Sequence, residues 1–348
     1  MGMSLVDQVR AVGNPIVDGQ TATFVWRGKS APVLDGDFTS WDPAHAIELE
    51  PAGRGVWVHR HKFAPATYME YAFAREGTRQ LDPFNPQVSW NGIAGYNHYF
   101  YMPGGEPTEL ITLAPGVARG TVTQHVLPRM WGEDPHPRVV QLYRPAARKP
   151  VPLLVVYDGR DFFRRVKLTT IVDNLIAERR IRPLAIAFVP TFRPTRWAEY
   201  ACSDVTLGFV LDEVLPLAKA ELDLVSLRSH PGAFGVLGAS MGGLMALYTG
   251  IRRPDIFGRV LGQSTALSNG SLEYVVWDLI RGGAKLPRLW LSPGQYELPG
   301  ILPANRRLRD LLRTREATFE YREAASGHNF PSWRDDVWRG LEWLFPVS

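Results

Sequence analysis

Ala233-Phe234-Gly235-Val236-Leu237-Gly238-Ala239-Ser240-Met241-Gly242-Gly243-Leu244-Met245-Ala246-Leu247-Tyr248 is the stretch on which the fold turns. Its first five residues form a short apolar run, the mark of a strand buried on both faces. From Gly243 onward the apolar residues take helical spacing, and between the two lies Gly238-Ala239-Ser240-Met241-Gly242. Strand, sharp turn and helix with a serine at the apex is the pattern of a nucleophile elbow. A serine held in a strained turn with its hydroxyl outward needs the space that side chains at positions 238 and 242 would fill. The helix behind it aims N-terminal N–H groups at a place where negative charge can develop. The pentapeptide alone also fits an ordinary glycine-rich turn; the flanking strand and helix are what single out Ser240.

Outward from this turn, residues 116–348 alternate short apolar runs with helical stretches. Strands are expected at Leu153–Tyr157, Leu184–Val189, Ala233–Leu237, Arg259–Gly262, Arg288–Leu291 and Thr318–Arg322, after a strand pair at Val117–Val126 and Arg138–Tyr143. Helices are expected near 166–180, 206–222, 242–252, 300–314 and 333–344. The alternation predicts an α/β-hydrolase fold, a doubly wound and mostly parallel sheet with helices on both faces. Residues 1–115 read differently. Thr21–Arg27, Ala31–Leu34, Gly55–His61 and Tyr68–Arg75 are strand-like and separated by turn signals such as Asp35-Gly36-Asp37 and Asp82-Pro83. That spacing predicts an all-β, immunoglobulin-like sandwich. A chain of 348 residues accommodates both domains, 1–115 and 116–348.

A hydrophobic content of 45% and a charged content of 21% are those of a soluble globular protein. The formal charge of +4 is carried without any long Lys/Arg run, which argues against a nucleic-acid partner. Arg306-Arg307-Leu308-Arg309 is the densest basic cluster, readable as a solvated helix face or as an anion-binding rim. The single cysteine, Cys202, excludes an intrachain disulfide and a Cys-rich metal site and fits a reducing compartment. With no apolar leader and no run approaching ~18 apolar residues, a cytoplasmic protein without a membrane partner is expected.

Active sites of such sheets gather at the carboxyl ends of the strands. Asp158-Gly159-Arg160-Asp161, Ser240, Gly294-Gln295-Tyr296-Glu297 and Ser326-Gly327-His328-Asn329 all fall there. A serine hydroxyl needs a base within hydrogen-bond reach. His45, His59, His61 and His98 fall in the sandwich, His125 and His136 come early in the second domain, and His230 precedes the elbow strand. His328 alone follows a last strand in a small-residue loop, which makes it the candidate base. The order Ser, acid, His places the third member after the Arg288–Leu291 strand, where Glu297 is the only carboxylate. Asp335 and Asp336 are alternatives, expected to face solvent on the last helix. For the oxyanion, the amide of Met241 is one donor and that of Arg160, preferred to Gly159, the other.

Two resemblances join these readings. Phe24-Val25-Trp26-Arg27-Gly28, Gly36-Asp37-Phe38-Thr39-Ser40-Trp41, Tyr71-Ala72-Phe73 and Asp82-Pro83 resemble the early-set sandwich related to glycogen-binding modules. In that family tryptophans and a lysine grip glucans; here Trp41 matches one stacking position, while Glu70 and Arg79-Gln80 stand where a lysine and a second tryptophan are expected. Leu154-Val155-Val156-Tyr157-Asp158-Gly159, the elbow, and Ser326-Gly327-His328 with Trp333-Arg334 resemble the esterase D family. With the early-set domain, Arg196-x-x-Glu199 and Asn305-Arg306-Arg307-Leu308, the chain is most similar to enterochelin esterases. That resemblance implies Ser240 as nucleophile, His328 as base and the Met241 and Arg160 amides as the hole.

The leading expectation is a serine ester hydrolase, without metal or organic cofactor, acting on a small-molecule ester of the catecholate siderophore kind. Arg160, Arg193, Arg196 and Arg306 are expected along the path of an anionic substrate, with Trp333 as a further contact. Arg196 paired to Glu199 is the structural alternative for that arginine. A feruloyl- or acetyl-type esterase, which would need sugar stacking by Trp41 or Trp26, and a broad carboxylesterase are the enzymatic alternatives. A non-catalytic binding protein on a hydrolase scaffold is the alternative of another class.

Overall fold

The computed structural model describes residues 3–91, 95–127 and 137–347. The chain divides into two compact units. One gathers Met1–Pro107 with Gly294–Pro299 and Glu323–Ser332; the other holds Thr108–Pro293, Gly300–Arg322 and Trp333–Ser348. The first break thus falls after Pro107, ahead of the expected boundary at 115. The physical reason is hydrogen bonding: Thr108 N–H donates to Asp335 (3.0 Å), Ala114 N–H to Asn174 (3.0 Å) and Gly120 N–H to Asp173 (2.9 Å). Each acceptor lies on a helix of the second unit, so the connecting segment belongs with it.

The second unit is built on an eight-stranded sheet. Its order across the sheet is Thr121–Leu127, Arg138–Arg144, Ala185–Phe188, Leu153–Val156, Phe234–Ala239, Phe257–Gln263, Arg288–Ser292 and Phe319–Tyr321. The first two strands run antiparallel, and from Ala185–Phe188 onward every neighbour is parallel. Leu153–Val156, Ala185–Phe188 and Phe234–Ala239 are buried at every position. That is why they read as unbroken apolar runs: helices cover both faces of a parallel sheet. After Leu153–Val156 the chain first moves to one side, to Ala185–Phe188, and then to the other, to Phe234–Ala239. The connections diverge at that point, which opens the crevice where ligands of such sheets bind.

The predicted 206–222 helix is present as Asp204–Phe209, a five-residue π-helical turn at Val210–Val214, and Leu215–Glu221. Three short helices, Gly159–Arg164, Arg196–Tyr200 and Val276–Arg281, were not expected. Each has five or six residues, too few to show a hydrophobic period.

The first unit holds two β-sheets. One has the antiparallel order Ile16–Asp18, Thr21–Arg27, Val56–Lys62 and Glu50–Pro51. In the other, Tyr68–Arg75 is the central strand and pairs with Tyr96–Tyr101, Val33–Gly36 and Thr78–Gln80. Phe24, Leu34, Phe63, Met69, Tyr71, Phe73 and Phe100 fill the core between them. The same sheet carries two short strands from the far end of the sequence, Gly294–Tyr296 and Ala324–Gly327. Ala324–Gly327 joins it through a parallel pairing of Ser326 with Tyr68. Neither strand has the alternating pattern that would announce it.

Candidate active site

Ser240 stands between the Phe234–Ala239 strand and the Met241–Arg252 helix with φ 57° and ψ −124°. A residue with a side chain seldom adopts positive φ, and an outlier of this kind needs its surroundings to enforce it. They do. Ser240 N–H donates to the Gln263 carbonyl (2.9 Å), and the Ser240 carbonyl accepts from Ala266 (3.1 Å) and Leu244 (3.1 Å). A side chain at Gly238 would overlap the backbone of Gly242, so only glycine lets strand and helix fold back so tightly. Met241 opens the helix, and its N–H is among the four that a helix start leaves without an intrahelical acceptor.

The second oxyanion candidate sits one strand away. Gly159–Arg164 begins after Asp158, whose φ of 51° turns the chain sharply. Gly159 N–H is already spent on the Val189 carbonyl (2.9 Å), which leaves the next amide, that of Arg160, as the donor of this turn. A Cβ on Gly159 would lie 2.5 Å from Val189 N, so the turn admits only glycine there.

Asp158, which the sequence offers only as part of a turn, is a buried hub of hydrogen bonds beside the elbow. Its buried carboxylate receives Arg196 at both oxygens, Nε to Oδ1 at 2.9 Å and Nη2 to Oδ2 at 2.7 Å. Its N–H is donated to the Tyr200 hydroxyl (2.8 Å). A Cβ on Gly242 would come within 3.0 Å of Asp158 Oδ2, so that glycine makes room for the carboxylate against the elbow helix. Burial acts to lower the Arg196 pKa, but the Asp158 carboxylate outweighs it and raises the value above the ordinary range. The alternative Arg196–Glu199 pairing does not form. Glu199 is fully buried and is held by Arg138, with Nη2 to Oε1 at 2.6 Å and Nη1 to Oε2 at 3.2 Å.

Arg160 and Arg164 open onto a cavity of about 340 Å³ with Arg138, Phe188, Thr191 and Phe192. Arg306 lies on the exposed face of the Ile301–Thr314 helix, while Arg193 belongs to a one-turn helix at Arg193–Thr195. Trp333 is a correction. It is 7% exposed, its indole N–H donates to Ser264 Oγ (2.8 Å), and its carbonyl accepts from Gln263 (3.0 Å). It is almost wholly buried and braces the strand ends beside the elbow, where the expectation was a substrate contact.

The acid and base candidates are brought together. His328 Nδ1 lies 2.5 Å from Glu297 Oε2, with both side chains almost fully buried. The other carboxylate oxygen, Oε1, accepts Gly294 N–H (2.8 Å), which fixes the rotation of the group. A carboxylate at Nδ1 selects the tautomer with its proton on that nitrogen and leaves Nε2 as the acceptor. Glu297 and His328 belong to the first unit, and Ser240, Met241, Arg160 and Arg196 to the second.

The alternative acids are otherwise engaged. Asp335 accepts from Arg334 (2.8 and 2.9 Å) and from Thr108 N–H. Asp336 is buried beside Arg322 and Arg339 and does not face solvent as expected, while Asp335 is partly buried. His136 lies outside the described residues. In the sandwich, the Arg79 guanidinium stacks 5.0 Å from the Trp41 ring, and Glu70 is buried and bonded to Tyr68 and Asn97. Arg79 thus occupies one face of the partly buried Trp41 ring. Among the described residues no helix is long and apolar enough to cross a membrane, and no cluster of three or more His, Cys, Asp or Glu could hold a metal ion.

Residues 134–295 match the protein family described as "Putative esterase". The iron(III) enterobactin esterase of Escherichia coli (strain K12) is 29% identical over 198 residues, 55% of this chain and 48% of the relative. That of Dickeya dadantii (strain 3937) is 27% identical over 292 residues, 76% of this chain and 64% of the relative. The matches therefore span about half to two thirds of these relatives' lengths. An enterobactin esterase from Shigella flexneri, solved in the presence of enterobactin, superposes with a TM-score of 0.75 at 22% identity, covering 93% of this chain and 92% of that one. At that identity the likeness is one of fold.

Proposed function

We propose that this chain, enterochelin esterase-like in family and fold, is a serine ester hydrolase working through an acyl-enzyme. The observation that carries the reading is the positive-φ backbone of Ser240 at the apex of strand and helix, a cost that a nucleophile's exposure accounts for. Ser240 Oγ attacks the ester carbonyl carbon while His328 Nε2 takes its proton. Glu297 holds the imidazole by Nδ1 and stabilises the imidazolium. The carbonyl oxygen becomes an alkoxide held by the Met241 and Arg160 amides. Collapse of this adduct breaks the C–O bond, and the imidazolium returns the proton to the leaving alcohol. Water then attacks the acyl group with His328 again as base, releasing the acid and restoring Ser240.

The proposed substrate is a catecholate siderophore ester. Two relatives are named for iron(III) enterobactin, and the cavity beside the Arg160 turn joins arginines to the aromatic faces of Phe188 and Phe192. Arginine keeps its charge at any working pH and suits a ligand that is both anionic and aromatic. The test is turnover of a catecholate triester beside a feruloyl ester and a short nitrophenyl ester, with intact-mass analysis of trapped enzyme. The catecholate is expected to show the highest kcat/KM, with the acyl adduct on the Ser240 peptide. Absence of both turnover and adduct with every ester would reject the reading.

A further inference from the structure

Asp37, in the sandwich's own Gly36-Asp37-Phe38-Thr39 turn, has no part in the reaction just described, yet it is 1% exposed and fully engaged. Its Oδ1 accepts the Trp41 indole N–H (2.8 Å). Its Oδ2 accepts the Glu70 backbone N–H (2.8 Å) and the side-chain amide of Asn329 (3.2 Å). Asn329 directly follows His328. Its other side-chain atom, Oδ1, accepts the Ser332 N–H (2.9 Å) and so caps the helix that starts at Phe330. On the near side of His328, a Cβ on Gly327 would overlap the Asp37 carboxyl group. The residues on both sides of the imidazole therefore meet the same carboxyl. The strand that delivers it, Ala324–Gly327, pairs through Ser326 with Tyr68, two residues from Glu70.

We infer that Asp37 is a positioning residue for the acid–base pair: it fixes the Gly327–Asn329 turn so that His328 meets Glu297 in one orientation. The inference rests on the esterase reading above. Physically, a buried carboxyl with several donors is a stiff anchor, since any displacement leaves it unpaired in a medium that penalises this heavily. Burial first, then the nearby Glu70 carboxyl, pushes Asp37 well above the usual carboxylate range against the bonds from Glu70 N–H and Trp41. The glycine and asparagine of the Ser326-Gly327-His328-Asn329 motif also acquire reasons: one admits the carboxyl, the other binds it.

The test uses the full chain with Asp37→Ala, Asn329→Asp and the double variant, each normalised by active-site titration with a fluorophosphonate that labels the nucleophilic serine. Asn329→Asp retains an oxygen to cap the Phe330 helix but turns a donor into a carboxylate facing Asp37. Displacing a catalytic group by about 1 Å costs on the order of 100-fold in rate. Both single variants are expected to lose 10- to 100-fold in kcat per titrated site with KM nearly unchanged. The double variant should fall no further than the worse single, because both break one link. A purely structural role would lower the titratable fraction and the melting temperature and leave kcat per site at the parent value. Parent-like kcat in both singles, or losses that multiply in the double, would overturn the inference with the esterase intact. A parent that hydrolyses no ester and takes no label at Ser240 would end the esterase reading, and the inference with it.

Discussion

The turn that carries Ser240 is assembled from neighbours between Phe234 and Ala266 and one adjacent strand end at Asp158. The turn that carries His328 depends instead on Asp37, Tyr68 and Glu70 from the opposite end of the chain. Both use the same device. In each, a buried aspartate presses against a glycine that has no side chain to obstruct it: Asp158 on Gly242, Asp37 on Gly327. In each a second residue holds that aspartate, Arg196 in one case and Asn329 in the other. The difference is range. The backbone hydrogen bonds that enforce the strain at Ser240 all lie within residues 234–266, while the His328–Glu297 pair draws on four separated segments, at residues 37, 68–70, 294–297 and 324–329. Ser240, supported locally, should tolerate changes in the sandwich that His328 does not.

The largest effect is expected at the proposed nucleophile, Ser240. Ser240→Ala should reduce kcat by on the order of 10⁴-fold or more, with a melting temperature within a degree or two, because the hydrogen bonds that enforce the turn are all backbone. Activity within tenfold of the parent would remove Ser240 from the mechanism. Next comes Glu297→Gln, which keeps the shape but can present an amide to Nδ1 and so stabilise the wrong tautomer. A loss of up to about 10⁴-fold in kcat with little change in KM is expected. If Glu297→Gln is inert and Asp336→Asn is not, the acid is on the last helix. The paired glycines give a direct comparison of the two turns. A Cβ at Gly327 would overlap the Asp37 carboxyl, whereas at Gly242 it would stand 3.0 Å from Asp158. Gly327→Ala should therefore cost about 1–3 kcal/mol by overpacking and reduce kcat more than Gly242→Ala, as read by thermal melts and initial rates on one ester. The reverse order would mean that the elbow is the more tightly constrained turn.

How much of this was legible in the sequence follows the same division. The eight-stranded sheet announced itself because strands such as Leu153–Val156, buried on both faces, must be apolar throughout. The elbow was legible because Gly238 is required by the backbone of Gly242, four residues on. Glu297 and His328 could be picked out by their order after the last strands. Their attachment to the sandwich could not, since Gly294–Tyr296 and Ala324–Gly327 are short, small and polar, and a strand's partner is not encoded in its own pattern. Asp37 was visible only as part of a turn in a sugar-binding-like module; nothing local says that its carboxyl meets Asn329. Asp335 and Asp336, placed in solvent by the helical pattern, are instead drawn in by Arg334, Arg322 and Arg339.

The smallest effect expected is at Arg196, and it bears on how the elbow's surroundings are used. As a free cation Arg196 would serve substrate capture, and its loss would raise KM for an anionic ester alone. The structure commits it to Asp158 by two hydrogen bonds, with Asp158 almost entirely out of water. Removing the guanidinium leaves that carboxylate without its cation, a penalty of about 1–3 kcal/mol, or roughly 2–4 °C in melting temperature per kcal/mol for a domain of this size. The Arg160 amide lies two residues beyond Asp158, so relaxation of the turn should disturb the oxyanion donor for every substrate. Arg196→Ala is therefore expected to lower kcat about tenfold on a catecholate triester and on a neutral nitrophenyl ester alike, with KM for both nearly unchanged. Raising the ionic strength should not restore either rate, because the Asp158 carboxylate is almost entirely out of water and ions screen exposed charges, over ~10 Å at 0.1 M. A rise in KM confined to the anionic ester, shrinking with salt and with no loss of stability, would instead make Arg196 a substrate contact and leave Asp158 to be held by Thr191 Oγ1 at its carboxylate (3.3 Å) and by Tyr200 at its N–H.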